Sequence, residues 1–357
     1  MQRDKQVYIK TFGCAQNVAD SERIKAYYWE KGFKETEKWR EADEVVINTC
    51  IVRESAENRA WGLIDNIVKS KLGQKIIVTG CVVGAYGRKE IKGVDEWAKI
   101  DKFLVWEPIR AKKNVALISI STGCNNHCSF CIVPKARGKE VSRTMSTILA
   151  EVDRAIDSGF KEVVLIGQNV NSYGSDFEKE SWVHMGKKRI VSRFPELLEM
   201  VAKRKLDKVS FVSSNPWDFS DELIETIAKY PNIDRLIHLP FQSGNNEILK
   251  KMNRAYTKEE YLELVNKIKS KVPGVRFSTD IIIGFSGETE EMFEDTVDVC
   301  KKVGFEIAYI NKYSPRTGTV SAKMMANDVS IKEKKRRWVV LDELVNSKIT
   351  MGEKNAK

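Results

Sequence analysis

The sequence predicts an α/β protein with two parallel-sheet domains, the second a partial barrel, and three observations predict it. Short Val- and Ile-rich runs alternate with stretches of helical apolar period along the whole chain, the pattern of βαβ units with right-handed crossovers. At 357 residues the chain is longer than one hydrophobic core usually serves. Between two such series, WEPIRAKKN (Trp106–Asn114) interrupts the period with Pro108 and a charge cluster, as a linker does. The expected division is residues 1–107, a linker at 108–114, a barrel at 115–328 and a helical, basic tail at 329–357.

In order, VYIKTFGC reads as a strand that turns at a glycine into Cys14. NVADSERIKAYYWEKGF has helical spacing, with Asp20 or Ser21 as candidate N-cap and Gly32 as terminator. ADEVVINTC is a second strand, with Val45, Val46 and Ile47 buried, ending at Cys50. RESAENRAWGLIDNIVKSKLG is helical, and QKIIVTGC is a third strand ending at Cys81. Beyond the linker, VALISI, EVVLIGQN, KVSFVSSN, RLIHLPFQS, VRFSTDIIIGF and FEIAYINKYS are strands. Helices are expected near Ser146–Ser158, Arg193–Lys205, Asp221–Lys229, Thr257–Lys271 and Glu288–Val303. Six such units make a partial TIM-like (β/α)6 barrel with its chemistry at the C-terminal strand ends. Ser172–Arg189 lacks periodicity and reads as a rim loop; His184 within it has no evident partner.

The cysteines carry the chemistry. Cys124, Cys128 and Cys131 lie within eight residues just after the first barrel strand, close enough to ligate one soft-metal centre. Spacing alone leaves open a Cys3His zinc site completed by His127. Cys14, Cys50 and Cys81 each follow a strand of a parallel sheet, and such strands present their carboxyl ends along one edge, so the three converge although ~35 residues separate them. Cys300, with Phe293, Val297 and Gly304 on one helical face, reads as core.

Cys124-x3-Cys128-x2-Cys131 resembles the signature of radical S-adenosylmethionine (SAM) enzymes, and GCNNHCSFCIVPKARGKEVSR resembles their methylthiotransferase branch. TFGCAQN, INTCIVRESAENR and VTGC are similar to that branch's N-terminal cysteine contexts. The resemblance implies two 4Fe-4S clusters, one on Cys124, Cys128 and Cys131 in a radical SAM barrel and an auxiliary one on Cys14, Cys50 and Cys81. It implies that one SAM methylates a sulfur on the auxiliary cluster, while a second is cleaved at the open iron to a 5′-deoxyadenosyl radical. For SAM, it places Gln168 and Asn169 near the methionyl amino group, Ser213 and Gln242 near the ribose or sulfonium, and Arg254 at the carboxylate. The main chain from Ile283 to Phe285 would flank the adenine. Ser286 stands where the family motif reads FPGET, a departure expected to soften that loop.

NTCIVRESAENR and the cluster loop look most like the tRNA enzymes that convert N6-isopentenyladenosine beside the anticodon to its 2-methylthio form. The branches acting on N6-threonylcarbamoyladenosine or on a ribosomal-protein aspartate are the alternatives. The implied partners are a tRNA anticodon stem-loop, an electron donor such as flavodoxin or ferredoxin, and a sulfur donor. Family members usually continue into a small β-rich RNA-binding module, whose strand pattern is not evident in SIKEKKRRWVVLDELVNSKITMGEKNAK.

A formal charge of +10 and a sequence pI near 9.1 suit a polyanionic partner. Lys135, Arg137 and Arg143, following the cluster loop, are candidate phosphate contacts. The runs Lys187–Arg189, Lys203–Lys205 and Lys332–Arg337 read as solvated surface. No apolar run is long enough to span a membrane and no signal-peptide pattern opens the chain, so a soluble cytoplasmic enzyme is expected. The rival of a different class is a non-catalytic, zinc-stabilised RNA-binding protein. It requires a fourth ligand beside Cys14, Cys50 and Cys81 that the sequence does not offer.

Overall fold

The computed structural model describes residues 4–70, 72–87, 91–177, 181–184 and 187–347. The N-terminal domain runs β1 (Gln6–Thr11), α1 (Ala15–Glu30), β2 (Lys34–Glu35), β3 (Glu44–Thr49), α2 (Glu54–Lys69), β4 (Lys75–Gly80), α3 (Cys81–Tyr86) and β5 (Glu96–Trp97). Its sheet is parallel throughout, in the order β2-β1-β3-β4-β5. Helices cover both faces, so β3 is apolar on both: Val45, Val46 and Ile47 are fully buried, each contributing roughly 1.5–3 kcal/mol.

Helix α1 starts at Ala15, five residues before the expected cap. The Cys14 amide donates to Asn17 Oδ1 at 3.3 Å, and AQNVAD contains nothing to break a helix. Asp20 and Ser21 serve tertiary contacts instead. Ser21 Oγ accepts from Thr11 Oγ1 at 2.7 Å and from Asn48 Nδ2 at 2.9 Å.

The second domain continues β6 (Val115–Ser119), β7 (Ser121–Thr122), α4 (Val133–Arg137), β8 (Val141–Ser142), α5 (Met145–Asp157), β9 (Glu162–Ile166), β10 (Ser181–His184) and β11 (Lys187–Ile190). Then come α6 (Phe194–Ala202), β12 (Lys208–Phe211), α7 (Asp221–Lys229), β13 (Leu236–His238), α8 (Asn246–Lys251), α9 (Lys258–Lys271) and β14 (Arg276–Ile283). It closes with α10 (Glu290–Val303), β15 (Ile307–Lys312), α11 (Val320–Met324) and α12 (Ile331–Val345). Parallel sheets β6-β9-β12 and β13-β14-β15 are joined by a parallel bridge between Val209 and Ile233. Six parallel strands therefore follow in chain order, as an open barrel requires. One apolar cluster from Ala116 to Val345, with Cys300 in it, fills the space between strands and helices.

Three expectations need correction. The rim segment read as a loop contains the antiparallel hairpin β10–β11; the side chain of His184 lies outside what is described. The Lys332–Arg337 run is not uniformly solvated. α12 packs on β15 and α10, burying Lys334, whose Nζ donates to the Tyr313 carbonyl at 2.9 Å, and Arg337, which pairs with Glu288 at 2.7 Å. Ser286 does not loosen its loop: its hydroxyl donates to the Ala326 carbonyl at 2.5 Å. Residues 348–357 of the expected tail lie outside the described residues.

Candidate active site

β1, β3 and β4 are neighbours, and Cys14, Cys50 and Cys81 each follow one of their C-terminal ends. The turns are tight. Gly13 has φ +139°, and a Cβ there would stand 2.9 Å from the Cys50 Cβ. Gly80 has φ +90°, and a Cβ there would collide with Asn48 and the Thr49 main chain. Asn17, fully buried, sits amid the trio. Its Oδ1 accepts from Cys14 Sγ at 3.5 Å, and its Nδ2 lies 3.9 Å from Cys81 Sγ and 3.1 Å from the Thr49 carbonyl it donates to. Cys14 is exposed, Cys50 and Cys81 are buried, and burial pushes the Cys81 thiol up to about 11.

The second trio occupies the loop between β7 and α4, at the C-terminal end of β6. The loop is pinned to the segment after α8. Ser129 Oγ donates to the Lys251 carbonyl at 2.7 Å and Asn253 Nδ2 to the His127 carbonyl at 2.7 Å. Arg254 Nη1 donates to Cys128 Sγ at 3.3 Å, and Nη2 to Asn215 Oδ1 at 3.2 Å. A cleft of about 210 Å³ opens here, lined among others by His127, Cys128, Trp217 and Arg254. Burial pushes the Cys124 and Cys131 thiols up to about 12, so any metal centre here must displace their protons.

The donor sets fit clusters better than single ions. A tetrahedral ion with bonds of ~2.3 Å draws its thiolates to ~3.8 Å of one another. Among the described residues no group of three His, Cys, Asp or Glu side chains is gathered around one ion position. A four-iron cube spreads three thiolates over three corners. All-cysteine trios, one per loop cluster, match that donor chemistry.

Helices α3 and α4 bring the two trios together. α3 begins at Cys81, and α4 begins two residues after Cys131. A Cβ on Gly84 of α3 would lie 1.8 Å from the Ala136 carbonyl oxygen of α4. Ile51, Cys81, Val82, Ala85, Ile132 and Ala136 form one apolar cluster across the boundary. Elsewhere between the two parts of the chain, buried Glu151 gathers Arg23, Arg110 and Arg143 at 2.8, 2.5 and 2.7 Å. Desolvation opposes the charge on Glu151, but the three guanidiniums hold its pKa below the ordinary value.

The expected SAM-binding residues lie on one rim. Gln168 and Asn169 follow β9, Ser213 follows β12 and Gln242 follows β13. Ser213 and Gln242 hold φ of +70° and +67°, strain on the order of 1–3 kcal/mol each that is typical of ligand rims. The side-chain oxygens of Asn169 (Oδ1), Ser121 and Ser214 are buried without hydrogen-bond partners among the described residues. Arg254 turns to the cluster loop through Cys128. Ile283 and Phe285 have fully buried side chains, and Phe285 packs on Tyr313 and on Phe130 of the cluster loop at 4.6 and 6.4 Å. The Ile283 carbonyl is committed to the Tyr313 amide at 2.9 Å.

Two of the three expected phosphate contacts have carboxylate partners within the protein. Arg137 is buried and paired with Asp20 at 2.7 Å, and Arg143 is bound to Glu151 and to the Ser119 carbonyl at 2.7 Å. Lys135 is exposed, its ammonium 5.0 Å from the Tyr86 ring centroid. Sequence reasoning missed Asn17, and it missed Glu140 as a carboxyl buried beside Cys124. Only their placement within the cysteine motifs, at TFGCAQN and KARGKEVSR, could have drawn attention to them.

The family described as Radical SAM superfamily matches residues 118–300, and Uncharacterized protein family UPF0004 matches residues 6–100. The tRNA-2-methylthio-N(6)-dimethylallyladenosine synthase of Fusobacterium nucleatum is 40% identical over 385 aligned residues, 96% of this chain and 84% of that one. Its namesake in Aquifex aeolicus is 38% identical over 97% of this chain and 85% of that one. Among solved structures, the radical S-adenosylmethionine methyltransferase TsrM from Kitasatospora setae aligns with a TM-score of 0.60 at 13% identity. It covers 90% of this chain and 77% of that one, a likeness of fold.

Proposed function

This chain belongs to the family of tRNA-2-methylthio-N(6)-dimethylallyladenosine synthases, radical SAM enzymes, and from that premise we propose that it places a methylthio group on C2 of N6-isopentenyladenosine beside the anticodon of tRNA. The observation that carries the reading is the pair of cysteine trios, one per domain, joined through α3 and α4. When bound, SAM and the two four-iron clusters supply homolytic activation of a C–H bond and a sulfur to transfer. The protein's own residues hold, orient and exclude water.

Cys124, Cys128 and Cys131 would hold one cluster, and Cys14, Cys50 and Cys81 the other. Arg254 would orient Cys128 as a ligand through the hydrogen bond that its guanidinium donates to the sulfur. Asn169, Ser121 and Ser214 offer their unpartnered oxygens to the polar groups of SAM, and the strained turns at Ser213 and Gln242 hold the rim that cradles it. Lys135 stands on the rim where a phosphate can reach it. An anticodon loop suits such a site because its unstacked bases can be splayed into a cleft. An electron donor such as flavodoxin or ferredoxin and a source of sulfur complete the turnover. Among the described residues no helix is long and apolar enough to cross a membrane.

The test combines the reconstituted protein under anaerobic conditions with SAM, a reductant and an anticodon stem-loop carrying N6-isopentenyladenosine, read by nucleoside mass spectrometry. The expected result is the 2-methylthio product, with about eight irons per chain falling to about four when Cys124, Cys128 and Cys131 become Ala. Product formed only from a threonylcarbamoyladenosine stem-loop, or only from a ribosomal-protein substrate, would overturn the assignment.

A further inference from the structure

Arg137 ends α4 six residues beyond Cys131, yet its guanidinium lies in the other domain. It meets Asp20 of α1 at 2.7 Å, with side-chain exposures of 4% and 1%. The other Asp20 oxygen accepts from Gln16 Nε2 at 3.0 Å, and Gln16 Oε1 accepts from Ser119 Oγ at 3.2 Å, so the carboxylate is held from both domains. Burying an ion pair is costly, and an apolar pair of the same volume commonly serves stability as well or better. The pair therefore calls for a reason beyond cohesion, and its surroundings supply one.

The pair lies on the N-terminal trio's side of the seam: Ala136, the residue before Arg137, packs in one apolar cluster with Cys81 and with Ile51, the residue after Cys50. Asp20 lies six residues into the helix that Cys14 caps. A buried cation and a buried anion therefore stand at this trio's side of the seam, and the cation belongs to the other trio's loop.

We propose that the Arg137–Asp20 pair sets the reduction potential of the centre held by Cys14, Cys50 and Cys81, with Arg137 raising it from across the domain boundary and Asp20 tempering it. This rests on the reading of that trio as a four-iron site. Adding an electron makes such a centre more negative, so a nearby buried cation favours the reduced form and a nearby anion disfavours it. Because Arg137 rides on the loop of the first centre, the second centre has its full potential only when the two domains are docked. Arg137 is a positioning residue in this account, since it touches neither substrate nor cofactor.

The test is a redox titration followed by electron paramagnetic resonance, on the full chain with Cys124, Cys128 and Cys131 replaced by Ala so that one centre titrates. Arg137→Gln and Asp20→Asn break the same ion pair, so a purely cohesive role moves both alike. The electrostatic role moves them oppositely. Arg137→Gln should lower the reduced-to-oxidised ratio at a fixed potential about tenfold, which is 59 mV for one electron. Asp20→Asn should raise that ratio, Arg137→Lys should stay near the parent, and the double variant should fall between the single ones. Shifts of one sign in both single variants, or none with iron retained, would overturn the proposal. If Arg137→Gln does not fold, Asp20→Asn decides, and an unmoved potential there overturns it as well. A parent protein whose remaining iron is untouched by Cys14→Ala would instead sink the four-iron reading beneath it.

Discussion

The two cysteine trios are built in opposite ways. Cys124, Cys128 and Cys131 occupy one loop, so eight residues of sequence and a few pinning hydrogen bonds suffice to gather them. Cys14, Cys50 and Cys81 come from three strands and depend on the whole sheet keeping its register. The carboxyls beside them differ too. Asp20 is ion-paired with Arg137, whereas Glu140 has no cation among the described residues; the Ser172 hydroxyl lies 2.6 and 2.7 Å from its oxygens. A local site can be read from spacing, while a topological one depends on contacts elsewhere in the molecule, and this is where substitutions separate the two.

The largest effect is expected at the seam. Gly84→Ala puts a methyl group 1.8 Å from the Ala136 carbonyl oxygen, so α3 or α4 must move. The cost should reach or exceed the ~1–3 kcal/mol of ordinary overpacking, with methylthiolation falling at least a hundredfold. Gly62→Ala, in the interior of α2 with nothing within 4 Å, is the control and should stabilise by about 0.5–1 kcal/mol. Thermal melting and turnover, measured side by side, check both. Equal behaviour of the two variants would mean that the trios need no close helix contact.

An intermediate effect should expose the electrostatic contrast. Burial pushes the Glu140 carboxyl up to about 7, aided by Asp176 and Asp218 and opposed by Ser172. The folded state then holds a proton that the unfolded chain has released above its ordinary value of 4.5. Stability from this group is full below that value and is lost as pH rises toward 7. The loss is on the order of 3 kcal/mol, at about 1.4 kcal/mol per unit. Glu140→Gln should flatten urea midpoints across that window. Asp20→Asn should leave the slope there intact and lower stability at every pH, since it strands the Arg137 charge. A slope unchanged by Glu140→Gln would remove the contrast.

How much of this was legible in the sequence follows the same division. The βαβ series, the six barrel strands and Cys300 in the core were readable because apolar period is local. The convergence of Cys14, Cys50 and Cys81 was readable once a parallel sheet was assumed, since that topology alone places strand ends on one edge. The ion pairs of Arg137 and Arg143 were not legible because their partners, Asp20 and Glu151, are 117 and 8 residues away with nothing in the spacing to announce them. Lys334 and Arg337 failed similarly: a basic run looks solvated until a docked helix face buries two of its members. The strands Ser181–His184 and Lys187–Ile190, within the segment read as a loop, lacked alternation of apolar and polar residues, so nothing marked them.

The smallest effect concerns Lys135, an exposed cation that the sequence suggested for RNA. Lys135 belongs to the same short helix as Arg137, so the two test whether position on α4 divides structural from substrate-facing charge. Lys135→Ala removes one exposed ammonium and leaves the seam alone. Binding of an anticodon stem-loop should weaken only a few-fold, and the slope of log affinity against log salt should become shallower by about one. Fluorescence anisotropy across a salt series measures both, and iron content should not change. Arg137→Gln should do the reverse, altering the N-terminal centre while leaving the salt slope as it was, because a guanidinium with 4% exposure releases no counterion. If Arg137→Gln makes the slope shallower and Lys135→Ala does not, the burial of Arg137 is broken when RNA binds, and the seam between the two trios opens during the reaction.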